Sequence, residues 1–281
     1  MTGDGPDPTH DPTFYLGCAA HYLAGRPPYA REMRATLYEA LALEGSGTLL
    51  DVGCGPGVVA VELAPAFGTV IGLDPDPDML AAAEAHAAES GVANASWLLG
   101  TADRVEEFAP DSLRTVTFGQ SFHWTQREEV AELVYDRLEP GGSMVVVSHD
   151  HVTPEVPPGP GDPIIPHDEV KAIITAYLGE ERRAGQGIVR LWPDRYEDAI
   201  ARTRFGEPRA VSVPRRRDIT RDIDGVISGF LSMSFAAPHL FGDSLDAFVA
   251  DVRALLEPLT PTGRFWDWPG DTSLIIATKP A

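Results

Sequence analysis

Short apolar runs alternate with longer amphipathic stretches through the first half of the chain. The apolar runs predict buried strands at 48–52, 69–73, 95–99, 114–119 and 143–148. Helical periodicity separates most of these runs and predicts helices at 57–67, 77–90 and 127–138. Strands and helices that alternate over short connections favour a parallel, doubly wound α/β sheet with right-handed crossovers.

The alternation breaks after His149. Proline and glycine are dense over 152–168, which predicts a loop. Beyond it, helices are predicted at 169–178, 193–204, 222–235 and 244–256, and strands at 207–213 and 272–278. The segment after the fifth strand is too long for a simple connection, so we interpret it as a helical insertion or lid.

The N-terminal part predicts two helices over 14–43 that are interrupted at Arg26–Tyr29, because proline ends one helix and fits the first turn of the next. Residues 1–13 are polar and proline-rich, which predicts disorder rather than a signal peptide. The expected organisation is a disordered N-terminus, a helical segment, an α/β core, an insertion, and a C-terminal part that completes the sheet and a pocket. The bounds of these five parts are 1–13, 14–44, 45–150, 151–206 and 207–281.

Composition narrows the class of protein. The 281 residues are 43% hydrophobic, as in globular chains, and carry a formal net charge of −20. Because a chain this acidic offers no basic face to bind phosphates, we expect neither a nucleic-acid nor a membrane partner. Its two cysteines, Cys18 and Cys54, form no disulfide framework or Cys-x-x-Cys metal motif, which favours a reducing, cytoplasmic location. No apolar run approaches the ~18 residues of a membrane span.

A glycine-rich turn at Leu49–Gly57 carries the main chemical signal. Its strand, turn and helix N-terminus form a site where backbone N–H groups can approach a ligand. The glycines follow Gly-x-Gly-x-Gly, and Val58 stands where a dinucleotide fingerprint has its third small residue. Asp51, directly before the turn, would repel a pyrophosphate but suits an ammonium group. A nicotinamide-dependent dehydrogenase is therefore disfavoured.

From this turn onward the chain resembles the class I S-adenosylmethionine-dependent methyltransferases. Four motifs over residues 45–150 match that family in order and spacing: Leu50–Gly57, Gly72–Asp74, Gly100–Asp103 and Leu138–Gly142. The resemblance is closest to bacterial small-molecule members, of the methyltransferase type 11 kind, that carry segments like Arg26–Tyr29 and Gln120–Trp124. It implies a Rossmann-like sheet of about seven mostly parallel strands with an antiparallel last strand.

The resemblance also implies S-adenosylmethionine as cofactor and assigns its contacts. Asp51 would help to hold the ammonium group, and Asp74 would accept hydrogen bonds from the ribose hydroxyls. Met79 would pack on the adenine face. The remaining assigned cofactor contacts follow the glycine turn or the ends of strands three and four: Gly53, Gly55, Thr101, Ala102, Asp103, Gln120 and Ser121. Arg26 is a candidate partner for the methionine carboxylate or for an acidic substrate.

Methyl transfer from a sulfonium is an in-line displacement in which alignment and exclusion of water supply much of the catalysis. A base is needed only if the acceptor must lose a proton. His123 is the preferred base or acceptor-orienting residue, because imidazole titrates near neutrality, and Tyr22 is the second catalytic candidate. The candidates for acceptor binding are Tyr29, Trp124, His149 and Trp266, with the late aromatic residues Phe230, Phe235, Phe265 and Trp268 beside them.

Several alternatives stay open at this stage. His149, Asp150 and His151 resemble a metal motif only weakly, and we expect no metal. The expected activity is methyl transfer to an O, N or C atom of a small molecule in bacterial secondary metabolism. The same cofactor also serves cyclisation, elimination and binding without turnover, and fold does not decide between them. Neither the acceptor nor the oligomeric state follows from the sequence.

Overall fold

A computed structural model describes residues 13–110, 112–149, 162–181, 183–184, 187–188, 194–215, 218–268 and 270–281. Its central sheet has seven strands: β1 (Thr48–Val52), β2 (Thr69–Asp74), β3 (Ala95–Leu99), β4 (Leu113–Gly119), β5 (Leu138–His149), β6 (Arg209–Val213) and β7 (Thr272–Thr278). They lie in the order β3-β2-β1-β4-β5-β7-β6. Only β7 runs antiparallel to its neighbours in this sheet, which confirms the predicted Rossmann-like arrangement.

Helices surround the sheet and extend beyond one end of it. The α-helices of the described residues are α1 (Ala19–Gly25), α2 (Met33–Leu41), α3 (Val58–Leu63), α4 (Pro77–Glu89), α5 (Val105–Phe108), α6 (Arg127–Arg137), α7 (His167–Leu178), α8 (Tyr196–Ala201), α9 (Ile223–Leu231), α10 (Pro238–Phe241) and α11 (Leu245–Leu256). Two short strand pairs complete the described structure, Thr220–Asp222 with Arg264–Trp266 and Arg183–Ala184 with Gly187–Ile188.

Strand β1 shows why the sheet forms. Successive side chains on a strand point to opposite faces, and here both faces are covered. Leu49 packs with α2 and α3 in one apolar layer, whereas Leu50 and Val52 pack with α6 in the other. Burying both faces gives the continuous apolar run that the sequence shows.

A third core lies outside the sheet. Helices α7, α9 and α11 bury Phe230, Phe248 and Phe265 among themselves, and we call this unit the helical cap. The N-terminal helix α1 packs on α9, and Gly25 makes the contact close: a Cβ there would lie 2.4 Å from the carbonyl carbon of Ser228. This contact ties the segment before the core to the cap.

Each predicted strand and helix has a counterpart of the same type, but some bounds differ. Several short elements, among them α5, α10 and the strand pair Thr220–Asp222 with Arg264–Trp266, have no counterpart among the predictions. Strand β5 begins at Leu138, five residues before the predicted start, so the glycine-containing motif Leu138–Gly142 lies inside it. Its irregular backbone finds partners in the residue after β7: Gly141 N–H donates to the Lys279 carbonyl at 3.0 Å, and Lys279 N–H donates to that of Gly142 at 2.9 Å. Ordinary ladder pairing is offset here, with a register shift on the facing part of β4.

Several predicted helices are longer than the observed ones. The first N-terminal helix begins only at Ala19, and the helix predicted at 57–67 ends at Leu63, before a 3-10 turn. The helix predicted at 29–43 ends at Leu41, because Ala42 adopts a left-handed conformation. The one predicted at 222–235 ends at Leu231, and the extended Met233 separates it from a short 3-10 turn at Ser234–Ala236. The one predicted at 193–204 spans only Tyr196–Ala201.

The predicted insertion contributes to two different layers. Helix α7 belongs to the helical cap, whereas α8 packs beside α6 on the sheet. Most of the predicted disordered N-terminus and most of the predicted proline-rich loop lie outside the described residues. Within the described part, no single helix has the length and apolar composition of a membrane span; Ile223–Leu231 and Ser234–Leu259 meet that test only as a pair bent by 103°.

Candidate cofactor site

The glycine turn between β1 and α3 is anchored to the neighbouring strand. The N–H groups of Gly53 and Cys54 both donate to the Leu73 carbonyl, at 2.7 and 3.1 Å. Gly53 and Gly55 have φ values of +63° and +53°, a left-handed conformation that glycine adopts at little cost. A Cβ on Gly53 would lie 2.6 Å from Ser121 Cβ, but one on Gly55 would meet no atom within 4 Å. The turn is therefore closed at its first glycine and open at its second.

Asp74 ends β2 beside the open part of this turn. Its Oδ2 accepts a hydrogen bond from Gly55 N–H at 2.7 Å, and its Oδ1 accepts one from Asp76 N–H at 3.0 Å. Burial raises the pKa of the Asp74 carboxyl to about 6, so the group is mostly ionised at pH 7. The resemblance assigns the ribose hydroxyls to this carboxylate, and its location next to Gly55 is compatible with that role.

Asp51 is buried under the turn and already has two protein donors. Thr117 Oγ1 donates to its Oδ1 at 2.7 Å, and Ala60 N–H donates to its Oδ2 at 3.2 Å. Burial is the main cause that raises the pKa of Asp51, to about 7. The carboxylate thus joins the end of β1 to β4 and to the first turn of α3. Its assigned contact with the cofactor ammonium stays a prediction.

The end of β4 closes the other side of the turn. Gln120 has a φ of +56° and donates its N–H to the Val147 carbonyl at 3.0 Å. Ser121 is buried, and its hydroxyl donates to the Val52 carbonyl at 2.5 Å. A non-glycine residue in the left-handed region is uncommon and often marks a functional position. The structure thus brings Ser121 directly against Gly53, with Gln120 preceding it on the strand end that pairs with β5.

The segment after β3 lies on the same edge of the sheet as Asp74. Gly100 N–H donates to the Asp74 carbonyl at 3.1 Å, and a 3-10 turn at Ala102–Arg104 follows. Thr101 and Ala102 are half-buried and Asp103 is exposed. This edge holds the residues assigned to the adenine ring, and Asp103 is the most accessible of them.

Met79 contacts the N-terminal segment as well as the sheet edge. It lies in the first turn of α4, which Asp76 caps by accepting from Asp78 N–H at 2.8 Å. The Met79 side chain is 2% exposed and packs in one cluster with Cys18 and Tyr22. The predicted packing of Met79 on the face of the adenine ring stays a prediction.

Tyr22 and Arg26 lie on or directly after α1, near the glycine turn. The Arg26 guanidinium lies over the Tyr22 ring, 5.1 Å from its centroid, and Nη2 donates to the Ser232 carbonyl at 2.9 Å. Burial is the largest cause that raises the pKa of Tyr22, and the carboxylates of Asp74 and Asp51 raise it further. The phenol is therefore protonated at neutral pH and suited to donate a hydrogen bond rather than to accept a proton.

His123 and Trp124 form a short 3-10 turn after β4, and each contacts a tyrosine. His123 Nδ1 lies 3.3 Å from the Tyr196 hydroxyl, and Trp124 Nε1 donates to the Tyr15 hydroxyl at 3.1 Å. The sequence pattern gives no signal for Tyr196 or Tyr15. Tyr196 begins α8, which is 73 residues away in sequence, so only the fold brings it to His123.

The four predicted acceptor-binding residues lie in different surroundings. Tyr29 stacks on His149 at the end of β5, with ring centroids 4.9 Å apart and planes at 27°. Trp124 contacts Phe14 and Tyr15 of the N-terminal segment. Trp266 is 4% exposed, ends the short strand Arg264–Trp266 and stacks parallel to Trp268. Phe230 and Phe265 are buried within the cap core, and Phe235 packs against it. The structure thus brings together Tyr29 and His149 but not all four.

A metal centre is not formed by the described part of the chain. No group of three or more His, Cys, Asp or Glu residues there could hold an ion. Asp150 and His151, which the sequence pairs with His149, lie outside the described residues.

The residues at the turn fit a cationic nucleoside. The cradle is open at Gly55, the Asp74 carboxylate accepts from Gly55 N–H, and two further carboxyl groups, those of Asp51 and Asp76, are buried on the strand and the helix cap next to it. These carboxylates would repel a pyrophosphate and attract the ammonium and sulfonium charges of S-adenosylmethionine. Backbone N–H groups at the start of α3 and the Asp74 carboxylate supply both donors and acceptors.

Similar proteins of known family also indicate a methyltransferase domain around the glycine turn. Residues 49–142 match the family described as a methyltransferase domain. A ubiquinone biosynthesis O-methyltransferase of Methylobacterium nodulans is 51% identical over 45 residues, 16% of this chain and 18% of that protein. The 2-heptyl-1-hydroxyquinolin-4(1H)-one methyltransferase of Mycobacteroides abscessus is 27% identical over 169 residues, 58% of this chain and 73% of that protein.

Among solved structures, the YcgJ protein of Bacillus subtilis is similar in fold, with a TM-score of 0.51 and 17% identity over 88% of this chain and 98% of that one. A probable S-adenosylmethionine-dependent methyltransferase of Saccharomyces cerevisiae is 28% identical over 129 residues, 44% of this chain and 43% of that protein. The chain thus spans less than half of the length of the Methylobacterium and the Saccharomyces relative. The matched region nevertheless contains β1 to β4, the start of β5 and the whole glycine turn. Residues 49–142 are a methyltransferase domain of the class I S-adenosylmethionine-dependent family, whose cofactor is S-adenosylmethionine.

Proposed function

We propose that this protein transfers the methyl group of S-adenosylmethionine to an O, N or C nucleophile of a small molecule. The observation that carries the proposal is the pairing of Asp74 with Gly55 N–H on the open side of the glycine turn. Two of the curated relatives compared above bear the names of small-molecule methyltransferases, which supports a small-molecule acceptor. A bacterial, cytoplasmic enzyme of secondary metabolism is compatible with the composition and is part of the same proposal.

When bound, S-adenosylmethionine supplies an activated methyl group and a neutral leaving group. The protein then has to bind, orient and exclude water. In this proposal Asp74 accepts from the ribose hydroxyls, and Arg26 donates to the carboxylate of the methionine part. Gln120 and Ser121 fix the wall beside Gly53. Thr101, Ala102, Asp103 and Met79 line the adenine end.

The acceptor site in this proposal lies between the end of β4, the end of β5 and the N-terminal segment. His123 orients the acceptor or takes its proton, and Tyr196 contacts the imidazole at Nδ1. Tyr22 donates a hydrogen bond from a protonated phenol, because its pKa is raised. Tyr29, His149 and Trp124 supply flat apolar surface. In the same proposal Trp266, on the strand beside the helical cap, is a further wall of the acceptor site.

The test uses the full chain with radiolabelled cofactor. S-Adenosylhomocysteine should bind in a titration calorimeter, and NADH should not. Incubation with methyl-labelled S-adenosylmethionine and a bacterial small-molecule extract should move label into extractable small molecules in proportion to enzyme. A reaction that releases methylthioadenosine and labels no acceptor would instead support cyclisation or elimination. Cofactor binding with no turnover of any extract would support a regulatory protein.

A further inference from the structure

Arg215 is a buried guanidinium with unused donors. It follows β6 by two residues and is 6% exposed. Its backbone N–H donates to Asp271 Oδ1 at 3.0 Å, and its Nη2 donates to the Pro28 carbonyl. Nε and Nη1 are buried and have no hydrogen-bond partner among the described residues. Buried polar groups almost always have partners, so this exception needs an explanation.

The surrounding charges do not explain it. Asp267 is the buried carboxylate nearby, and it already forms an ion pair with Arg221, whose Nε lies 2.7 Å from Asp267 Oδ2. Arg221 also donates to the Gly25 carbonyl through Nη1. Burial lowers the pKa of Arg215 to about 10, while Asp267 and Asp271 raise it and Arg221 lowers it further. The group is thus charged at neutral pH, in a place where charge is costly without a partner.

Arg215 lies at the edge of the sheet where β5 ends, which is the side of the proposed acceptor site. Thr272 of β7 is in register with both His149 of β5 and Val213 of β6, so the ends of these strands share one edge. From that edge Arg215 reaches Pro28, the residue before Tyr29, which stacks on His149. Five strand spacings, about 24 Å, separate β6 from β2 and therefore from the Asp74 carboxylate. The cofactor ribose is consequently out of reach of Arg215.

We propose that Arg215 binds an anionic oxygen group, a carboxylate or a phosphate, on the methyl acceptor. The inference rests on the proposed function and specifies its substrate class. Arginine suits such groups because its charge is permanent and several N–H donors are fixed in one plane. The Pro28 carbonyl holds one end of the guanidinium, so the remaining donors are oriented before the substrate arrives. An acidic acceptor would supply the oxygen atoms that Nε and Nη1 lack.

The experiment measures anion binding with and without cofactor product. Succinate and inorganic phosphate, each at matched ionic strength, are titrated calorimetrically into the full chain, free and saturated with S-adenosylhomocysteine. We expect at least one anion to bind the saturated protein and to bind about tenfold more weakly to Arg215→Gln, the loss of one charged hydrogen bond. Arg215→Lys keeps the charge and one donor to Pro28, so it should fold and show an intermediate affinity. Arg209→Gln, an exposed change on β6 itself, should bind as the wild type does.

Three results would overturn the inference. They are absence of binding of both anions to the wild type, equal affinity in the wild type and both Arg215 variants, and loss of anion binding when S-adenosylhomocysteine is added. The last result would mean that the guanidinium serves the carboxylate of the cofactor. Failure of S-adenosylhomocysteine to bind would count against the proposed function instead, so the two hypotheses fail in different ways.

Discussion

Gly55 N–H and the Asp74 carboxylate lie 2.7 Å apart and join the glycine turn to the end of the neighbouring strand. The same carboxylate also accepts from Asp76 N–H, just before the helix that carries Met79. One buried acid thus fixes both walls of the cofactor cradle. A carboxylate has about four acceptor positions, so two protein donors leave capacity for ribose hydroxyls.

Asp74→Asn should weaken S-adenosylhomocysteine binding by about tenfold to a hundredfold, the effect of losing charged hydrogen bonds of about 1.5–3 kcal/mol. In the wild type the affinity should also fall as the pH decreases through about 6, because the carboxyl takes up a proton there. The variant should lack this step. Titration calorimetry between pH 5 and pH 8 measures both effects.

Asp78→Asn is the matched control for this variant, since Asp78 is exposed and only four residues away. It should bind S-adenosylhomocysteine as the wild type does. Equal affinities of the wild type and Asp74→Asn would remove Asp74 from the cofactor site and, with it, the main support for the proposed function.

Asp74 and Arg215 illustrate how much of the site the sequence predicts. The location of Asp74 beside the glycine turn can be predicted because motif order fixes which strands are neighbours. A parallel sheet then brings the ends of those strands to one edge. The seven strands and the helices between them follow from the same alternation of apolar and amphipathic segments. Arg215 was not found, because its surroundings come from Pro28, Asp267 and Asp271, which are far apart in the chain.

Gly53→Ala should disrupt the cradle, because the new methyl group would lie 2.6 Å from Ser121 Cβ. Two costs combine: about 1–2 kcal/mol for a side chain at positive φ, and about 1–3 kcal/mol for overpacking. We expect a lower urea midpoint and at least a tenfold loss of S-adenosylhomocysteine affinity.

Gly45→Ala separates these two costs. Gly45 has a φ of +77°, similar to that of Gly53, but a Cβ there would meet no atom within 4 Å. The control should share the backbone cost in urea unfolding and keep the wild-type affinity. If both variants bind equally well, the close approach of Gly53 to Ser121 has no part in forming the site.

Asp267→Asn should strongly destabilise the junction between the N-terminal segment and the helical cap. The change removes the charge that faces Arg221 and, at longer range, Arg215. Breaking a buried ion pair on one side costs about 3–5 kcal/mol, because the remaining charge stays buried. The free energy of urea unfolding measures this loss.

Asp224→Asn is the control for the buried pair. Asp224 pairs with Arg253 at the surface, and both side chains are well exposed. Such pairs contribute about 0–1 kcal/mol, so this variant should unfold nearly as the wild type does. A similar effect of the two substitutions would show that Asp267 and Arg221 do not form a buried pair in solution.

The bounds of the acceptor site could not be predicted in the same way. Phe265 and Trp266 are neighbours in sequence, yet Phe265 is buried in the cap core whereas Trp266 stacks on Trp268, and the strand that carries both is held by pairing with the distant Thr220–Asp222. Likewise Tyr196 reaches His123 only because α8 packs beside α6. Local patterns predict elements and their faces, but not which distant side chain fills a given gap.

The ionisation of Asp51 should make the free energy of unfolding depend on pH. Burial raises its pKa to about 7 in the folded chain, well above the value of about 3.9 in an unfolded one. Between these two values the folded state holds a proton that the unfolded state has released. The free energy of unfolding therefore decreases as the pH rises through this window, by up to about 4 kcal/mol for this group.

Asp51→Asn removes that group, so the free energy of unfolding of the variant should decrease less between pH 4.5 and pH 7.5 than that of the wild type. An amide has one acceptor oxygen where the carboxylate has two, so either Ala60 N–H or Thr117 Oγ1 loses its acceptor, which costs about 1–3 kcal/mol at every pH. Thr117→Val keeps the carboxyl and removes a donor that lowers its pKa, so its pH dependence should extend to higher pH. Urea unfolding at four pH values compares the three proteins, and parallel curves for the wild type and Asp51→Asn would mean that Asp51 ionises normally in the fold.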